Sequence, residues 1–184
     1  MNLTIGAPRS LQEHLVNAMG NYRHRVFVQK LGWQLQCKGE LECDQFDRDD
    51  TVYVIATDDR QSVIGTARLL PTTRPYLLDT VFPQLMGGQP LPHSEEVWEL
   101  SRFAAVDFNS TSTSDMRQFS SPTAIGLLRE SLRCAAALGA YRVITVSPLG
   151  VERLLQRAGF RAHRAAPPVL VDGRPLYACW IECE

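Results

Sequence analysis

The segment Glu42-Cys43-Asp44-Gln45-Phe46-Asp47 places three carboxylates within six residues, with Phe46 between the last two. No other stretch restricts the fold as strongly, because carboxylates are almost never buried without partners. Three readings are open. The run is a solvated loop whose charges stay in water. Alternatively it is an oxygen-rich calcium loop, although the glycine at position six and the terminal glutamate of that motif are absent. Or, with nearby arginines and another glutamate, it is an electrostatic cage around a small cationic substrate.

A chain of 184 residues with 45% apolar and 21% charged residues fits one soluble globular domain, 1–184. A formal net charge of −1 argues against wholesale binding to nucleic acid or a membrane surface. No apolar run reaches the ~20 residues that span a bilayer, and Met1 to Ile5 is no signal peptide, so membrane insertion is not expected and a cytoplasmic location is. Cys37, Cys43, Cys134, Cys179 and Cys183 are odd in number and irregularly spaced, which predicts reduced thiols. Cys179 and Cys183 lack a second ligand pair, so no metal site is expected.

Alternation at Leu3 and Ile5 predicts a short strand. Ser10 to Glu13 reads as a capping box, and Leu11, Leu15, Val16 and Met19 form one face of the helix after it. Gly20-Asn21 is read as an interruption before a second helical turn carrying Tyr22, Arg23, Val26 and Phe27. Trp33 to Asp50 lacks periodicity and is read as an irregular loop. Thr51 to Ala56 and Ser62 to Leu70 predict an antiparallel strand pair, and Thr80 to Met86 a short helix. Glu96 to Val106 predicts a strand too polar for a plain core, which points to a bulge or a functional cleft. Asn109 to Ser121 is a Ser/Thr-rich loop. Pro122 to about Leu138 is an amphipathic helix, Tyr141 to Ser147 a strand, and Leu149 to Ala158 a helix. Asp172 to Pro175 joins a hairpin. The class is one α+β or mixed α/β domain.

Arg23-x3-Phe27-x5-Trp33, Glu42-x-Asp44-x-Phe46-Asp47, Arg68, Thr80-Val81-Phe82-Pro83 and Glu99-Leu100-Ser101-Arg102 stand in this order from about Tyr22 to Val106. Together they resemble the LuxI-type acyl-homoserine-lactone synthases, with weaker similarity through Gly150-Val151-Glu152 and Arg157-Ala158-Gly159. The resemblance implies a GNAT-like αβα sandwich, a mixed, mostly antiparallel sheet with a V-shaped cleft. It implies acylation of S-adenosylmethionine by a thioester on acyl carrier protein, then lactone closure with loss of methylthioadenosine. S-adenosylmethionine is a substrate and no cofactor is expected.

That chemistry gives each residue an expected role. Asp44 and Asp47 suit the cationic groups of S-adenosylmethionine, while Arg23 and Arg102 either fork onto its carboxylate or cross-brace the acids, and the resemblance places Arg68 among the residues that bind it. Phe27 and Trp33 cover the adenine or sulfonium, unless they are core residues, as Phe82, placed behind the ligands with Glu42, is read to be. Glu42 is an arginine partner behind the ligands. The resemblance places the base at Glu99, which would take the amine proton directly or through a water. A backbone amide near Ser101 to Phe103 would serve as the oxyanion donor. Leu128 on the long helix and Thr145 and Ser147 on the following strand are assigned to the acyl-chain pocket. Arg153 and Arg157, spaced i, i+4, are assigned to docking of the acidic carrier. Two alternatives stand beside this reading. One is a GNAT-type acyl-CoA N-acyltransferase, for which no Gly-rich pyrophosphate turn occurs between Val106 and Ile125; the other is a non-catalytic binder of a cationic adenosyl metabolite.

Overall fold

The computed structural model describes residues 1–108 and 121–183. The expected Ser/Thr-rich loop lies outside them, apart from Ser121. Along the chain run β1 (Asn2–Gly6), α1 (Glu13–Arg23), a π-helix (His24–Lys30), β2 (Cys37–Lys38), β3 (Leu41–Glu42), β4 (Val52–Thr57), β5 (Val63–Pro71) and α2 (Leu77–Val81). There follow β6 (Val97–Ala104), α3 (Pro122–Ala137), β7 (Arg142–Pro148), α4 (Val151–Arg157), β8 (Ala162–Arg164), β9 (Val169–Val171) and β10 (Arg174–Glu182). These residues form two compact units, Met1–Arg68 with Arg102–Leu128, and Leu69–Ser101 with Arg129–Glu184. Neither is a continuous stretch of chain.

In the first unit the sheet order is β1-β4-β5-β6, with β1 antiparallel to β4 from Asn2↔Thr57 to Gly6↔Tyr53. The apolar face of α1 closes on it: Leu11, Leu15 and Val16 pack against a buried cluster of Met19, Tyr53 and Ile55. A second cluster gathers Tyr22, Val26, Phe27 and Ala104. The Tyr22 hydroxyl accepts from the Val106 N–H at 2.7 Å and faces the Ile64 carbonyl at 3.1 Å, so one phenol ties α1 to β5 and to the segment after β6.

Two expectations fail here. Ser10 is no capping residue; it ends a 3-10 turn, its hydroxyl donates to the Ala7 carbonyl at 2.8 Å, and Gln12 precedes α1. Gly20 does not interrupt α1, which runs on to Arg23. Its missing side chain admits β3 instead, since a Cβ there would stand 3.3 Å from Leu41 Cδ2.

In the second unit the order is β5-β6-β7-β10-β8, with β9 also on β10. β10 is antiparallel to β7, β8 and β9, whereas β6 and β7 are parallel. The sheet is thus mixed and mostly antiparallel, as the resemblance implied. The β6–β7 register runs from Val97↔Arg142 to Glu99↔Ile144, and both strands continue past it. The β9–β10 hairpin turns through Asp172 (φ 48°) and Gly173 (φ 74°), left-handed at both central positions as a two-residue hairpin requires. The helix expected over Thr80 to Met86 is two pieces, because Pro83 starts a separate 3-10 turn and α2 begins back at Leu77. β8 has no sequence signal, with two of its three residues exposed.

Candidate active site

In the first unit the acid run is neither a solvated loop nor a bare anionic cage. Arg23 donates Nε to Glu42 at 2.5 Å and forks onto both oxygens of Asp47 at 2.8 and 2.9 Å. Arg102 donates to Glu42 at 3.0 Å and to Asp44 at 2.7 Å. Arg68 Nη1 donates to Asp44 at 2.6 Å and to Asp47 at 3.1 Å. Read in sequence, Arg23–Glu42–Arg102–Asp44–Arg68–Asp47 closes on itself: six charges alternate around a ring with no net charge. Asp47 also accepts from the Tyr53 hydroxyl at 2.7 Å and the Asp44 N–H at 2.8 Å, and Asp44 from the Phe46 N–H at 2.8 Å.

Local backbone choices build this ring. The π-helix begins directly after Arg23 and carries Phe27, buried, against Trp33 in a stack with 5.0 Å between centroids. The β2–β3 hairpin pairs Cys37 with Glu42 and delivers the acids at its end. Arg102 has φ 49°, a conformation costing a non-glycine residue about 1–3 kcal/mol. That is where the strand's alternation breaks: Glu99, Leu100, Ser101 and Arg102 are all buried in succession.

Burial alone would raise the pKa of Asp47, because it disfavours the charged carboxylate. The Arg23 charge and its hydrogen bonds, then Arg68 and the Asp44 amide, outweigh it and hold the carboxyl well below the usual carboxylate range. A depressed folded-state value means that Asp47 adds stability above its unfolded value near about 3.9 and loses it as pH falls toward the folded value. Unfolding free energy measured in urea should therefore drop between pH 6 and pH 3, and Asp47→Asn should flatten that drop. An equally steep drop in the variant would remove Asp47 as its source.

Side-chain exposure separates the ring members. Glu42 and Arg68 are at 0%, whereas Asp44 and Asp47 keep 12% and 11%. Asp44 also lines a cavity of about 450 Å³ with Gln36, Cys37, Lys38 and Cys43. Trp33 is 37% exposed, one face on Phe27 and the rest outward.

In the second unit, Glu99 is fully buried and accepts the Leu77 N–H at 3.0 Å on one oxygen and the Leu78 N–H at 2.6 Å on the other. The first turn of α2 is thereby capped by a strand residue twenty-one positions away. Ser101 is buried beside it on β6. Phe82 is only partly buried, which corrects its reading as core. Thr145 and Ser147 are buried on β7, opposite Cys179 and Tyr177 of β10. Leu128, buried in α3, belongs to the first unit. Arg153 and Arg157 are exposed on α4, while Arg164 bonds Glu152 at 2.6 Å. Sequence reasoning missed Tyr53 and the Leu77–Leu78 amides. The alternating strand pattern around Tyr53 was legible, but nothing in it marks a phenol aimed at an acid.

A family model for autoinducer synthases matches residues 9–184. The chain belongs to the autoinducer synthase family. An acyl-homoserine-lactone synthase of Acinetobacter nosocomialis is 53% identical over 182 residues, covering 99% of this chain and 100% of that protein. TofI, crystallised in a ternary complex with an inhibitor and MTA, is 44% identical with TM-score 0.84, covering 100% of this chain and 92% of that one. BjaI, a CoA-dependent acyl-homoserine lactone synthase crystallised with SAM and isopentyl-CoA, is 25% identical with TM-score 0.84, covering 99% of this chain and 83% of that one. In this autoinducer synthase the ring and Glu99 occupy the segments that carry the family resemblance. Among the described residues no three His, Cys, Asp or Glu side chains cluster as a metal site, and no helix is long and apolar enough to cross a membrane.

Proposed function

We propose that this synthase makes an N-acyl-homoserine lactone from S-adenosylmethionine and an acyl thioester. The α-amine attacks the thioester carbonyl, the carbon–sulfur bond breaks, and the thiol leaves. The methionine carboxylate then attacks the γ-carbon; the bond to the sulfonium breaks and neutral methylthioadenosine departs. The single observation that carries this reading is the 53% identity to an acyl-homoserine-lactone synthase along its whole length.

Because the ring is neutral, it gives little long-range pull on a cation, and recognition rests on contacts at its rim. Asp44 and Asp47 reach solvent and are assigned to the ammonium and sulfonium, with an attraction of about 1–4 kcal/mol at 4 Å. Arg23, Arg68 and Arg102 fix those acids in place, and Trp33 offers an aromatic face to the adenine or sulfonium. Glu42, at 0% exposure, orients Arg23 and Arg102 and touches no substrate. Asp44→Asn should weaken S-adenosylmethionine binding about tenfold by calorimetry; unchanged affinity would leave Asp44 with its bracing role alone.

We assign the base to Glu99, an oxyanion amide to the Ser101–Phe103 stretch, and acyl-chain contact to Thr145 and Ser147 on β7. Acyl carrier protein is the preferred donor, because Arg153 and Arg157 present adjacent exposed cations on α4 to an acidic partner. The likeness to BjaI favours a CoA thioester as the second reading. The five free thiols support a reducing, cytoplasmic location. The test is to incubate purified enzyme with S-adenosylmethionine and matched acyl thioesters of carrier protein or CoA, over several chain lengths. Lactone and methylthioadenosine should appear in equal amounts by mass spectrometry, faster from the carrier. If neither donor yields lactone, the reading falls.

A further inference from the structure

We propose that the second unit holds a binding site for a small oxyanion with an apolar body, a carboxylate or a phosphate ester, anchored by Arg142. The site is a cavity of about 580 Å³, within the range of about 300–1,000 Å³ typical of small-molecule sites. None of the ring residues lines it, nor does Glu99.

Its charge is one-sided. Arg142, Arg164 and His163 line the wall, and no Asp or Glu does. Arg164 is engaged by Glu152, whereas Glu182, the register partner of Arg142 across β10, lies outside the lining. The Arg142 guanidinium lies over aromatic rings: its central carbon sits 3.8 Å from the Trp180 ring centroid and 5.0 Å from that of Tyr141. Its buried Nε has no hydrogen-bond partner among the described residues. A buried N–H without an acceptor is costly, and a guanidinium pinned on an indole has already lost the rotamer freedom that binding would remove. The Nε itself is shut away from the cavity, so an oxyanion there accepts from the terminal Nη groups of Arg142. Met86 and Leu91 supply apolar wall for the remainder of such a ligand.

The probes are benzoate and phenyl phosphate, with benzyl alcohol as the neutral control, titrated into the full-length protein without substrates. The readout is the indole N–H signal of Trp180, assigned among the three tryptophans by Trp180→Phe. That signal should shift saturably with at least one anion and not with the alcohol, and the responding anion tells carboxylate from phosphate. Arg142→Gln should weaken the binding at least tenfold. Leu91→Glu, which adds a carboxylate to the wall from a partly exposed position, should abolish it and serves if Arg142→Gln does not fold. No saturable shift with either anion, or affinity unchanged in a folded variant, overturns the site. Lactone synthesis is scored separately, so a failure here leaves the proposed reaction untouched.

Discussion

Glu99→Gln should lower kcat by about 10²-fold or more while S-adenosylmethionine still binds. An α-ammonium has a pKa near about 7.7–8.0, so most of the nucleophile is protonated at neutral pH and a base must take the proton. Glu99 is fully buried and each of its oxygens already accepts one backbone N–H. A carboxylate oxygen can accept at more than one lone pair, so holding the two amides does not by itself bar Glu99 from taking a proton. Glutamine keeps the shape but has one acceptor oxygen, and its NH₂ faces an amide donor, which costs about 1–3 kcal/mol of stability on its own. Structural and catalytic roles are therefore separated by the pH–rate profile. Loss of the base should shift the rising limb toward the pKa of the free α-amine, about 7.7–8.0, whereas loss of packing would scale the whole profile down. Wild-type kcat in a folded Gln variant would move the base elsewhere, leaving Glu99 as the cap of α2.

How much of this was legible is decided residue by residue. The acid run, the arginines and the polar strand were visible because charge is written in residue type, and strand alternation predicted Val52–Thr57 and Val63–Pro71 to within a residue or two. The break in β6 was foreseen from too much polarity, and the structure gives its cause in the φ of Arg102. Pairing was not legible. That Glu42 faces Arg23 and Arg102, while Asp47 faces Arg23 and Arg68, depends on a π-helix and a two-residue hairpin, and neither has a sequence period to announce it. The cap on α2 was hidden for a related reason. Its donor amides carry no residue identity, and their acceptor lies on a distant strand. Gly20 misled because a helical glycine is usually read as a break, and here close approach of Leu41 explains it.

Arg23→Met should destabilise the protein by about 3–5 kcal/mol, since removing one partner of a buried pair strands the other charge. Arg23 has a side-chain exposure of 1% and is the ring member that contacts both Glu42, at 0%, and Asp47. Its neighbours cannot compensate, because Arg102 and Arg68 are each already committed to two acids. For a chain of this length the loss corresponds to a melting temperature lower by on the order of 10 °C. A double-mutant cycle isolates the pair: Arg23→Met with Glu42→Leu should recover part of the loss, because an apolar pair replaces a stranded carboxylate. Recovery should be incomplete, as Arg102 and Asp47 then each lack one partner. If Arg23→Met alone cost under about 1 kcal/mol in urea unfolding, the ring would be a surface-like ion network and not the buried frame that fixes Asp44 and Asp47. A frame of this kind also predicts the activity of the double variant. With its fold recovered but the Asp47 fork gone, it should bind S-adenosylmethionine more weakly than its stability alone would imply.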